Sequence, residues 1–272
     1  MRITSSQLAN LNSFDCIRFS KDDDFLRLVE DFKNPRNENL VDYIQGDASN
    51  DDASGRTACY LVVDKDREIV CYFALRSGLL YSEFEELRLY ERHKKLKKYL
   101  QELTEREKTD QAETIIKDLS KKLKESKEQI IKRLGRFDNL PLHKQVATSY
   151  PAIELSHFCV NEAYRYKWAA MGFGDKNRIG LTVFWHFVIG KVLDISELLG
   201  SEYLYLFAAD ATVDRYLVNH YKSFMGFRED LDVLAIQPIY DFRCTFLCNT
   251  INAMAEGRAD FFETFNDDSN LA

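Results

Sequence analysis

The stretch "YPAIELSHFCVN", residues 150–161, decides the fold. Strict alternation sets Ile153, Leu155, His157 and Cys159 on one face and Glu154, Ser156, Phe158 and Val160 on the other. Both faces are mostly apolar, which predicts a central strand covered on both sides.

Downstream, "RIGLTVFWHFVIGKVLDISELLG" (178–200) reads as a strongly apolar helix stopped near Gly200. "YLYLFAAD" (203–210) follows as a short buried strand. "TVDRYLVNHYKSF" (212–224) is an amphipathic helix with Val213, Leu217, Tyr221 and Phe224 on one stripe. "DVLAIQPIYDFRCTFLCNTI" (232–251) predicts a final strand pair, and 251–272 is left as a C-terminal tail.

Upstream, Cys59–Val63 and Ile69–Leu75 are β-rich runs flanking "DKDRE", the pattern of a hairpin. "QGDASNDDASGRT" (45–57) has the composition of a loop. "DDDFLRLVEDFK" (22–33) predicts an amphipathic helix with acidic residues at its start, and a short helix surrounds Leu40 to Ile44.

From Ser82 to Arg136 the chain changes character. Ile116, Leu119, Leu123, Ile130 and Leu134 follow a heptad-like seam, with Asp110 and Glu113 at capping-box spacing and Gly135 as a stop. The expectation is a charged helical hairpin, two helices joined near Thr109 and Asp110, inserted at 82–145 between a part at 1–81 and a part at 146–250. Residues 83–136 hold 16 Lys and Arg against 12 Asp and Glu, a local +4 that leaves −11 on the remainder. Such an arm reads first as a solvated hairpin packing on the core or on a second copy in a homodimer, and second as a surface for an anionic partner such as tRNA.

With 272 residues and 45% hydrophobic content the chain can build a real core. A net charge of −7 argues against general adhesion to nucleic acid or anionic membrane. The N-terminus lacks a signal-peptide core, and no run approaches the roughly 20 apolar residues of a membrane span, so a soluble, cytoplasmic protein is expected. The six cysteines show no metal-ligand spacing and read as buried thiols. No metal is expected.

The order of elements is that of an α/β (α+β) domain. Together, "HFCVN", "KNRIGLTVFWHFV", "LYLFAAD" and "YKSFMGF" resemble the GNAT superfamily of acetyl-CoA-dependent N-acetyltransferases, over roughly Leu61 to Leu247 apart from the insert. The resemblance implies a mixed, mostly antiparallel central sheet flanked by helices, with the fourth and fifth strands splayed. It implies main-chain contacts to acetyl-CoA at Phe158, Cys159 and Val160, and a pyrophosphate site at the helix opening formed by Lys176, Asn177, Arg178, Ile179, Gly180 and Leu181. Asp210, at the end of the fifth strand, is expected as a further cofactor contact. Tyr221 is implied as the general acid that protonates the departing thiolate after a primary amine attacks the thioester. The general base is unassigned, Glu154 and His157 being the two residues near the expected acceptor side. Two differences from the family pattern stand out: Arg178 occupies a position usually glycine, and Tyr221 stands five residues before Gly226 rather than four. "SFDC" with the hairpin is also similar to the toxin branch that acetylates aminoacyl-tRNA, and an inactive scaffold acting through its arm is the non-enzymatic alternative.

Overall fold

Six β-rich runs hydrogen-bond into one sheet in a computed structural model that describes residues 4–19, 24–82, 98, 109–123, 126–130, 148–173, 178–210, 212–236 and 244–263. The strands are β1 (Asp15–Arg18), β2 (Ala58–Val63), β3 (Ile69–Ser82), β4 (Thr148–Val160), β5 (Tyr203–Ala209) and β6 (Cys244–Thr250), lying in sequence order across the sheet. The pairs β1/β2, β2/β3 and β5/β6 are antiparallel and β4/β5 is parallel. This is the mixed, mostly antiparallel sheet that the resemblance implied. Residues 1–80 with 150–272 form one contact unit and 81–149 a second.

Helices cover both faces of the sheet, which is why β4 is apolar on both sides. One face carries α1 (Ser5–Leu11), the long helix α6 (Ile179–Leu199), α7 (Tyr216–Phe224) and α8 (Ile251–Glu263). Their side chains join Val62, Phe73, Leu155 and Leu206 in the largest core cluster. The other face carries α2 (Phe25–Glu30), α3 (Glu38–Gln45) and α4 (Ala48–Ala53), packed on Leu61, Tyr72 and Cys159.

Several expectations change. The 45–57 stretch contains a helix, α4, because Asp52 is buried, accepts from the Cys59 amide at 2.8 Å and pairs with Arg18 at 3.2 Å. The chain at 251–263 is a helix, with Met254 in the core. Before β6, the described residues to Ile236 form no strand; they hold isolated bridge residues at Arg228, paired with Cys248, and at Leu234. The helix α6 does reach the length and apolarity of a membrane span over its 21 residues. Here it is a core helix: Ile179, Val183, Phe184, Val188, Ile189 and Val192 are fully enclosed, which is the reason it is apolar nearly all round.

In the second unit, α5 is described over Thr109–Leu123, and the residues from 83 to 108, with the upstream side of the expected joint, lie outside those described apart from Lys98. Residues 126–130 fold back on α5. Ser126 and Gln129 cap a new helical turn reciprocally, at 2.7 and 3.2 Å. Lys127 meets Glu113 at 3.2 Å, and Ile130 packs with Ala112. A continuous helix would hold residues 113 and 127 about 21 Å apart, so the seam from Ile116 to Ile130 is not one straight helix.

Candidate active site

The parallel ladder between β4 and β5 holds three pairs, Ala152 with Tyr203, Ile153 with Leu204 and Glu154 with Tyr205, and stops. Beyond it, β5 stays with β6 as far as Ala209 and Cys244. The end of β4 stays with β3, where the Asn161 amide bonds the Val70 carbonyl at 2.9 Å. The two strands part after Glu154.

The cause is visible in which side chains share a core. Ile153 and Leu155 pack in the same cluster as Val160 and Phe158, whereas Cys159 belongs to the opposite face and His157 stacks on Tyr43 of that face. Leu155 and Val160 are five apart, and regular alternation puts them on opposite faces. One extra residue sits between Leu155 and Phe158, as in a β-bulge, which bends its strand. This corrects the simple alternation read from the sequence and leaves Glu154 and His157 on one side.

The opening of α6 lies against the splayed end of β4. A Cβ built on Gly180 would meet the Val160 side chain at 3.4 Å, an ordinary contact distance, so the helix opening lies directly beside β4. Thr182 donates to the Arg178 carbonyl at 3.2 Å, and Phe158 packs edge-on against Phe184 at 6.3 Å. Arg178, the residue before Ile179, makes no side-chain capping bond, and a helix opening at this point would favour an anion. Lys176 and Asn177 lie outside the described residues.

Tyr221 is half-buried on α7 against Phe227, ring centroids 5.8 Å apart and nearly perpendicular. The "GF" that follows is a helix stop. Gly226 is left-handed at φ 73°, and the Tyr221 carbonyl accepts the amides of Met225 and Phe227, each at 3.2 Å. Phe227 is buried beside Phe184. Burial, with a smaller contribution from Cys159, pushes the Tyr221 hydroxyl up to about 12.

Asp210 has its carboxylate engaged within the chain: one oxygen accepts from the Thr212 amide (3.0 Å) and hydroxyl (2.5 Å), the other from the Val218 amide at 3.0 Å. It anchors the first turn of α7. Burial alone would raise it, but these bonds outweigh burial and hold it below the ordinary carboxylate value. The Cys159 thiol accepts from Asn34 at 3.2 Å, and burial pushes it up to about 12, which keeps it protonated and unsuited to nucleophilic attack.

The sequence reading missed the partners of the two residues near the acceptor side. Glu154 is buried; Arg76 donates to both its oxygens at 2.8 Å, and the Tyr205 hydroxyl donates at 2.9 Å. His157 lies flat on Tyr43, centroids 3.7 Å apart, with Nδ1 3.1 Å from the Ser156 hydroxyl. Burial, then Arg76, lowers it to about 4. The one usable signal was Gly78 inside an apolar strand, a sign of close approach: a Cβ there would lie 2.4 Å from the Tyr205 hydroxyl.

A cavity of about 490 Å³ adjoins the opening of α6, lined by Arg178, Leu181, Tyr216, His220, Phe224 and Phe261 among others.

No family model and no curated protein matches the chain. Among solved structures, the chain is similar to a tyrosine-to-phenylalanine mutant of the AtaT toxin over 94% of its own length and 96% of the toxin's, at TM-score 0.49 and 10% identity. It is similar to AtaT complexed with acetyl-methionyl-tRNAfMet over 89% and 98%, at 0.47 and 12%. A tyrosine-to-phenylalanine mutant of KacT aligns over 90% and 98%, at 0.47 and 11%.

Proposed function

We propose that this chain is an acetyl-CoA-dependent N-acetyltransferase acting on a primary amine. The observation that carries the reading is the parting of β4 from β5 after Glu154, next to the opening of α6. The backbone of Phe158, Cys159 and Val160 would hold the pantetheine arm, and the first-turn amides from Ile179 to Leu181, with Arg178, would hold the pyrophosphate.

In the reaction the neutral amine attacks the acetyl carbonyl carbon. The C–N bond forms as the carbonyl becomes an oxyanion, which β4 amides stabilise. Re-forming the carbonyl breaks the C–S bond, and the departing thiolate takes the proton of the Tyr221 hydroxyl; the new amide nitrogen gives its proton to solvent, and solvent returns a proton to the Tyr221 phenolate. A hydroxyl raised to about 12 is fully protonated at neutral pH, as a general acid must be. Lowered to about 4, His157 is too weakly basic to take the amine's proton, and Glu154 is committed to Arg76 and Tyr205. Water is the better base.

Tyr221→Phe is expected to lower kcat at least a hundredfold with acetyl-CoA affinity nearly unchanged; unaltered turnover would remove Tyr221 from the mechanism. Binding is tested separately by thermal shift, since acetyl-CoA at 100 times Kd stabilises by about 2.7 kcal/mol. No shift at millimolar ligand would favour a scaffold without cosubstrate binding. Aminoacyl-tRNA is the acceptor favoured among amines by the +4 arm at 83–136. Its test is acetylation of aminoacyl-tRNA that weakens with salt and on neutralising Lys94, Lys95, Lys97 and Lys98.

A further inference from the structure

We infer that Tyr216, His220 and Phe224 form a stacking wall for the adenine of the nucleotide-bearing thioester, so that α7 selects acetyl-CoA over thioesters lacking a nucleotide. The inference rests on the acetyl-CoA reading above and adds to it the group that recognises the far end of the molecule.

The three residues stand at successive four-residue steps on α7, one ring per turn on one face. Their rings form a row: Tyr216 to His220 is 6.4 Å between centroids with planes 20° apart, and His220 to Phe224 is 5.2 Å at 43°. The row is open to solvent, with Tyr216 68% and Phe224 56% exposed. Burial holds His220 below its ordinary value, so near pH 7 its ring is neutral and stacks as an aromatic. The buried side of α7 is carried by Val218, so the outer row contributes little to the core.

An exposed row of rings is commonplace; this one lines the cavity at the opening of α6. At about 490 Å³ the cavity falls within the size range of small-molecule sites. Arg178 belongs both to the cavity and to the position before Ile179, which makes the stacking wall continuous with the opening of α6 where the phosphates are proposed to lie. Flat rings on one side and a guanidinium at the edge match a purine joined to phosphates: the base is held by its π-face and the phosphate by charge-assisted hydrogen bonds.

The test uses the full chain with acetyl-CoA, S-acetylpantetheine and adenosine 3′,5′-bisphosphate, and the variants Tyr216→Ala, Phe224→Ala and their double. Each single change is expected to raise Kd for acetyl-CoA roughly tenfold. S-acetylpantetheine binding should stay constant, and the bisphosphate should compete with acetyl-CoA on the unaltered chain but not on the double variant. Tyr216→Phe should bind as the unaltered chain does. Because both substituted rings are exposed, far-UV circular dichroism and thermal melting should be unchanged. Equal weakening toward both thioesters would overturn the inference in favour of a structural role. An altered oligomeric state with constant acetyl-CoA affinity would overturn it in favour of a contact with a second copy. Tight acetyl-CoA binding by the double variant overturns the stacking wall alone, whereas no acetyl-CoA binding by the unaltered chain overturns the parent reading as well.

Discussion

Gly78 shows how a residue with no side chain positions three that have them. The Tyr205 ring crosses β3 where a Cβ would stand 2.4 to 2.8 Å from its hydroxyl and ring carbons, and its hydroxyl is directed to Glu154. Glu154 stands on the last rung before β4 and β5 part, and Arg76 closes the other side of the carboxylate. A buried carboxylate that loses a partner is costly, because its desolvation is no longer offset. Gly78→Ala must displace the Tyr205 ring, and the expected loss is about 1–3 kcal/mol. The urea midpoint measures it; an unchanged midpoint would mean that the strand yields without disturbing the ring.

At the scale of elements, α7 is fixed at both ends by devices of different kinds. Asp210 binds the first turn, and Gly226 ends the last one in a left-handed conformation that an L side chain adopts only at a cost. A Cβ at 226 would meet Trp185 at an ordinary 3.5 Å, so Gly226→Ala has room and its penalty is conformational. The expected destabilisation is about 1–2 kcal/mol, read from urea unfolding, with a larger loss pointing to disruption of the Phe227 anchor. These devices also explain what the sequence reveals. The helices at 179–199 and 216–224 are legible because apolar spacing and a glycine stop are local properties, and the same holds for the hairpin around "DKDRE". The α4 helix is not, since "ASNDDA" is held by what Asp52 does with Cys59 and Arg18, residues that only the fold brings near. Nor is the extra residue in β4: alternation is inferred by counting, and nothing in "LSHFC" announces where the count slips. That slip takes Phe158 and Val160 off the face of Glu154 and accompanies the splay, so the site's framework was legible while its side-chain geometry was not. The outer row of α7 was passed over because stripe-reading looks for the buried face, and its cavity exists only once α6 and α8 are in place.

Across the sheet-bearing unit as a whole, buried histidines link stability to pH in the same direction, His157 and His186 most strongly, with His220 shifted the same way. His157 on β4 and His186 within α6 are each lowered to about 4, chiefly by burial, with Arg76 and Arg258 respectively adding to the effect. Both are therefore neutral in the folded chain at pH 6, whereas in the unfolded chain a histidine takes up its proton near 6.5. Between about 6.5 and about 4 the unfolded state binds more protons than the folded one, so stability falls as pH is lowered through that window. Below about 4 the histidine contribution levels off, because the folded form also becomes protonated. Each group contributes a slope approaching about 1.4 kcal/mol per pH unit within the window. Asp210 acts separately and lower: its depressed carboxyl contributes stability above the ordinary carboxylate value, lost as pH falls through the folded value. Urea unfolding at pH 7, 6 and 5 should give a midpoint that drops with each step, and His157→Gln and His186→Gln should each flatten the curve above pH 5, whatever they do to its height. A midpoint constant from pH 7 to 5 would mean that the buried rings protonate in place, and would overturn the assignment of both as neutral core groups.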